Sequence, residues 1–324
     1  MVDLGFAYKK RSRAAGLLER DDIVEWRHKY LRKIRNFRED GRTIYFLDET
    51  WVNAGHTMTN VWQDSTIKSR RQAFVNGVTT GLKAPSGKGG RVIVVHCGNE
   101  NGFVNGAGLV FRAKKSNGDY HQEMDGKRFE NWFESLLPKL DSNSVIVLDN
   151  ASYHTVRMEN IPTLSWKKID IQNWLQGKGI PFEESQIKTE LLGLVHHVKH
   201  RYTKYRIDIM AENAGHTVLR LPPYHCELNP IEMVWSQVKG YVARNNRTFK
   251  LDDVEKLLSE GIQELTPEKW RNCVQHVITE EKNLWNLDFL VDDVQDRIVI
   301  QLNSENDSDS SDDGLSGIEE MEHD

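Results

Sequence analysis

Two aspartates and a glutamate carry the most chemistry this sequence can offer. Asp48 closes the run RTIYFLDET, Asp149 closes SVIVLDNASYH, and Glu232 stands in LPPYHCELNPIEMVW. Each aspartate ends an apolar, strand-like run and is followed by a polar residue, which predicts delivery to a sheet edge. A lone strand-end aspartate is commonly a turn or cap residue. Glu232 alone reads as a carboxylate in the first turn of a helix, where the macrodipole favours negative charge. If the strand ends face that helix start, three carboxylates meet, and they repel unless a cation sits among them. Oxygen ligands of this kind suit a hard divalent ion, Mg²⁺ or Mn²⁺. Two such ions, about 4 Å apart, can activate an attacking oxygen and stabilise a leaving one in phosphoryl displacement.

The elements that must position these groups follow from periodicity. Ile23, Trp26, Tyr30, Ile34 and Phe37 recur at helical spacing from Asp22, with Arg27, Lys29, Arg32, Lys33, Arg35 and Arg38 on the other faces. That basic side is either solvated surface or a phosphate contact. The strand ending in Asp48 comes next, then the strand-like runs RVIVVHCG and GLVFRAK, and then an amphipathic helix around Gly126 to Leu140. The strand ending in Asp149 leads through helix-rich sequence to a last strand, TVLRLPPYH, broken by Pro222 and Pro223. Pro230 suits the first turn of a helix and Asn229 its cap. Ile231, Val234, Trp235 and Val238 give that helix an apolar face that packs on the sheet and holds Glu232 near its edge. Helical patterns fill the rest of the chain to about Leu302. The order predicts an α/β fold, a mixed sheet flanked by helices.

Composition sets the class. The chain has 324 residues, 38% hydrophobic and 28% charged, the balance of a soluble globular protein. The N-terminus lacks a signal-peptide core, and no apolar run approaches membrane length. Three cysteines without a CxxC pair argue against a disulfide framework and for a reducing interior. The net charge of −5 hides an asymmetry: from Asn303 the chain carries nine acidic residues and no Lys or Arg, which leaves a mildly basic body. That end reads as a solvated, disordered tail, or as a tether competing with nucleic acid for the basic surface.

The stretches FLDETWVN, IVLDNASYH and LPPYHCELNPIEMVWSQVK resemble, in order, the three signature blocks of the DDE transposases of the Tc1/mariner group, relatives of the bacterial IS630 transposases. The resemblance covers roughly Gly41 to Asn246. It implies a ribonuclease-H-like fold with a helical insertion before the last strand, and a metal-holding catalytic triad of Asp48, Asp149 and Glu232. It also implies two Mg²⁺ (or Mn²⁺) ions, hydrolysis of a DNA phosphodiester at a transposon end, and attack of the freed 3′-hydroxyl on target DNA. DNA in the nucleus is then the partner; a homodimer is compatible, and neither a membrane nor a small-molecule cofactor is expected. The long separation of Asp149 from Glu232 is similar to that of a Sailor-like branch. The family's helix-turn-helix region has no counterpart here, and the chain begins at what reads as the linker beyond it. The expected organisation is a basic linker and helix over 1–40, a catalytic domain over 41–302 with its insertion at about 159–215, and the acidic tail over 303–324. The rival reading is a transposase-derived, non-catalytic DNA-binding or adaptor protein.

Glu49, Asn150, His154 and His225 flank the three carboxylates and would either orient water or DNA, or serve as hydrogen-bond partners. GLKAPSGKGG mimics a phosphate-binding loop, but its spacing is one residue too long and Gly89 replaces the required Ser or Thr. His96 with Cys97, His225 with Cys226, and Cys273 with His276 lack the paired spacing of a zinc site.

Overall fold

In the computed structural model the described residues are 15–18, 20–59, 66–75, 87–113 and 124–304. The residues of the phosphate-loop mimic before Gly87, and nearly all of the acidic tail, lie outside them. Helices α1 (Ala15–Leu18) and α2 (Asp21–Glu39) lead into strand β1 (Ile44–Asn53). After α3 (Arg70–Val75) come β2 (Arg91–Asn99), β3 (Gly102–Phe103) and β4 (Leu109–Arg112). Helix α4 (Gly126–Leu136) precedes β5 (Val145–Leu148); α5 (Lys168–Gly177), α6 (Lys188–Tyr202) and α7 (Arg206–Asn213) precede β6 (Thr217–Arg220). Helices α8 (Pro230–Asn245), α9 (Leu251–Gln263) and α10 (Pro267–Ser304) follow. The chain divides into two compact units, Met1–Glu281 and Lys282–Asp324. Among the described residues, the second consists of the later part of α10. No helix among them is long and apolar enough to cross a membrane.

The six strands form one mixed sheet in the order β3-β2-β1-β5-β6, with β4 also on β2. β1 and β2 are antiparallel, whereas β1–β5 and β5–β6 are parallel. Parallel neighbours require crossovers, which α4 provides for the first pair and the α5–α7 segment for the second. Arg42 clamps the starting ends of the parallel strands by donating to the carbonyls of Asn143 and Ser144 and to Thr217 Oγ1.

One face of the sheet is covered by α4 and α7, whose Phe129, Phe133, Leu136, Ile207 and Ala211 pack with Tyr45, Leu47, Ile146 and Leu148. The other carries α8 and α9 against β1, burying Ile231, Val234, Trp235 and Val238 as their helical spacing predicts. Here Trp270 closes over Gly98: a Cβ at that glycine would stand 2.5 Å from the indole ring. The α5–α6 pair has a small core of its own, Ile161, Ile171, Leu175, Leu191 and Val195. A mixed sheet with helices on both faces and a helical insertion before the last strand is the expected ribonuclease-H-like arrangement.

One expectation needs correction. Asp48 does not end its strand, because β1 continues to Asn53 by antiparallel pairing with β2, from Phe46↔Gly98 to Asn53↔Arg91. What ends near Asp48 is the parallel pairing with β5, which stops at Phe46↔Val147.

Candidate active site

Continuing the β1–β5 register by two residues sets Asp48 beside Asp149, the residue just past the end of β5. Side chains alternate along a strand, so Asp48 and Glu49 take opposite faces. Asp48 faces α8, and Glu49 faces the α4 layer. Glu232 lies in the first turn of α8, two residues after Pro230, its amide bonded to the carbonyl of Asn229. The three groups feel one another. Burial raises the Asp48 carboxyl well above the usual range, and the nearby Glu232, Glu49 and Asp149 raise it further. Glu232 keeps solvent access, yet burial of part of its side chain raises it, Lys239 opposes this, and Asp149 adds to it. Neither Asp48 nor Glu232 forms a salt bridge among the described residues.

Asp149 is held differently. Its Oδ1 accepts from the Ala151 amide at 3.0 Å and from His154 Nδ1 at 2.6 Å. The other nitrogen of that ring, Nε2, lies 3.0 Å from Glu49 Oε1, and Tyr153 donates its hydroxyl to Glu49 Oε2 at 3.1 Å. His154 is 1% exposed and Glu49 4%. Burial presses the imidazole toward its neutral form, but Glu49 and Asp149 more than offset this and bring its pKa to about 9. At neutral pH it therefore carries both ring protons and donates to both acids. Phe129 lies against it with ring centroids 4.4 Å apart. Asn150 pins the same loop to the end of β6 through the Leu221 carbonyl at 2.7 Å.

Of the flanking residues singled out in the sequence, Glu49, Asn150 and His154 thus support the Asp149 loop. His225 does not join them. It is buried between Arg27 of α2, 3.4 Å away, and Glu227, 2.6 Å away, and ties α2 to the loop before α8. Asn229 also departs from expectation. Its side chain makes no cap; it points at β1 and donates to the Leu47 carbonyl at 3.4 Å, while its buried Oδ1 has no protein partner. The start of α8 is thereby fastened to the residue preceding Asp48. Lys239 was missed, although its position two helical turns after Glu232 puts both on one face of α8. Its ammonium lies 5.2 Å from the centre of the Trp51 ring and within electrostatic reach of Glu232 and Asp48.

Among the described residues no three His, Cys, Asp or Glu side chains are gathered into a ready-made ion cage. The donor set still fits a hard divalent cation. It consists of carboxylates with no cationic partner in contact with Asp48 or Glu232, and ions such as Mg²⁺ use one or two protein carboxylates and complete their shell with water and substrate phosphate.

Residues 74–255 match the family described as DDE superfamily endonuclease, a stretch that includes Asp149 and Glu232 and begins beyond Asp48. The chain is also similar to solved structures. One is a pre-cleavage Mos1 transpososome, at 12% identity and a TM-score of 0.54 over 89% of this chain and 68% of that one. Another is the Mos1 mariner paired end complex with Mn, at 13% identity and a TM-score of 0.53 over 87% and 67%. A third is the Mos1 strand transfer complex, at 14% identity and a TM-score of 0.52 over 89% and 67%. At these identities the likeness is one of fold.

Proposed function

Because the chain belongs to the DDE superfamily of endonucleases, we propose that it is the catalytic part of a Tc1/mariner-type transposase of the long-spaced, Sailor-like branch. It cuts DNA phosphodiesters and joins the freed 3′-hydroxyl to target DNA in the nucleus. The observation that supports this reading is that the continued β1–β5 register sets Asp48 beside Asp149 while Glu232 lies in the first turn of α8, which packs on β1. Two of the similar structures are a paired end complex with Mn and a strand transfer complex, which supports the same chemistry here.

Asp48, Asp149 and Glu232 would hold Mg²⁺ or Mn²⁺, two ions by the family pattern; when bound, these supply Lewis-acid polarisation of the phosphate and a more acidic water. The chain's own contribution is position. The antiparallel β1–β2 pairing fixes Asp48, the His154–Glu49 pair holds one oxygen of Asp149, and Asn229 fixes the helix start that carries Glu232. Lys239 lies beside the carboxylates, where it can meet the negative charge of a scissile phosphate.

The test is nicking of supercoiled DNA with Mg²⁺ or Mn²⁺ by the wild type and by Asp48→Asn, Asp149→Asn and Glu232→Gln. Loss in all three variants, with the fold retained, is expected. Equal nicking by wild type and variants would remove the catalytic role of the triad, and DNA binding without any cleavage would favour the non-catalytic adaptor.

A further inference from the structure

The insertion between β5 and β6 is not used by the chemistry above, yet it is a built element. Its core of Ile171 and Leu175 on α5 against Leu191 and Val195 on α6 leaves the opposite side of α6 to solvent. From Leu191 to Lys204 the chain carries no acidic residue. Lys199, Arg201 and Lys204 are exposed and pair with no carboxylate among the described residues. Several cations elsewhere are neutralised. On α2, Lys29 pairs with Glu25, Arg35 with Glu39 and Arg38 with Glu281, and Arg112 and Arg220 also meet acids. Basic residues in a last helical turn complement the macrodipole. That accounts for Lys199 and Arg201, but not for Lys204, which lies beyond the helix.

The placement of this basic stretch gives it a partner. Immediately after α6 the chain pairs with the segment that follows His154: the Met158 amide donates to the Lys204 carbonyl and the Arg206 amide to the Val156 carbonyl, both at 2.9 Å. Arg220 locks the junction by stacking on Tyr205 at 4.4 Å and donating to the His154 carbonyl at 2.9 Å. The cationic end of α6 is therefore tied by backbone to the loop that holds Asp149. We propose that Lys199, Arg201 and Lys204 form a second duplex-DNA contact, gripping backbone phosphates beside the scissile position. This rests on the DNA-cleaving reading above. The contact is to phosphates and carries no sequence preference.

The experiment compares the wild type, a Lys199→Ala/Arg201→Ala/Lys204→Ala variant and a control, Lys256→Ala/Lys269→Ala/Arg271→Ala, which has the same charge change on α9 and α10. Binding to two unrelated fluorescent duplexes is titrated at several salt concentrations, with thermal unfolding as a check on the fold. The α6 variant should lose affinity equally on both duplexes, with a salt slope shallower by about 2.7, the value for three released counterions. The control should keep the wild-type slope. Equal losses in both variants, or none in the α6 variant while the wild type binds, overturn this proposal and leave the endonuclease reading standing. A wild-type chain that binds no duplex at low salt overturns both.

Discussion

His154 Nδ1 stands 2.6 Å from Asp149 Oδ1, and through its other nitrogen the same ring reaches Glu49. A loop acid that must stay accessible is thus anchored to a strand acid that never sees water. His154→Ala would leave Glu49 as a buried carboxylate without its cation, a loss of about 3–5 kcal/mol in urea unfolding. The double variant His154→Ala/Glu49→Gln should recover much of that loss, because the stranded charge is gone. Additive losses would mean that the two residues do not act as a pair.

Asp48 has the opposite expectation. Burial and three neighbouring acids oppose its charge, so Asp48→Asn should be more stable than the wild type when divalent ions are chelated. Added Mg²⁺ should raise the melting temperature of the wild type and do less for the variant. A melting temperature equal in the two proteins under chelation would contradict the repulsion described.

His96, the cross-strand partner of Asp48 on β2, sets a further pH dependence. It is buried beside Phe103, with ring centroids 4.3 Å apart, and burial lowers its pKa from 6.5 to about 4, with Lys139 adding to the effect and a backbone bond opposing it. Below pH 6.5 the unfolded chain takes up a proton that the folded chain refuses until about pH 4, so stability falls across that window. By pH 5 the loss from this group is about 2 kcal/mol. His96→Phe should flatten the difference between unfolding curves at pH 7 and pH 5; an unchanged difference would assign it to other groups.

Gly98 tests the seat of Trp270. A methyl group there meets the indole at 2.5 Å and the Gly102 carbonyl at 2.9 Å, and neither can retreat freely in a packed core. Gly98→Ala should cost about 1–3 kcal/mol of stability, read from the urea midpoint.

The strands, the helix at Pro230 and the three acids were legible because each is a local pattern: an apolar run, a proline, a carboxylate at its edge. The place of Asp48 within its strand was not, because β1 is lengthened by β2, whose paired residues lie 38 to 52 positions away. Asn229 has the composition of a cap, but the nearest acceptor for its amide is on β1, a contact between distant segments. On α2 the counter-charges of Lys29 and Arg35, Glu25 and Glu39, each four residues from its partner, were already visible in the sequence.

Asp48 and Glu49 are neighbours that face opposite ways. Slipping β1 by one residue would turn both around, pressing Asp48 into the aromatic layer at Phe129 and stripping Glu49 of the only imidazole that balances it. A strand built of apolar residues alone would tolerate that error far better, since many greasy side chains are interchangeable. The adjacent acids therefore act as a proofreading mark for sheet assembly: a misaligned chain buries an unmatched charge at once, and the alignment that escapes this penalty is the one that sets Asp48 beside Asp149.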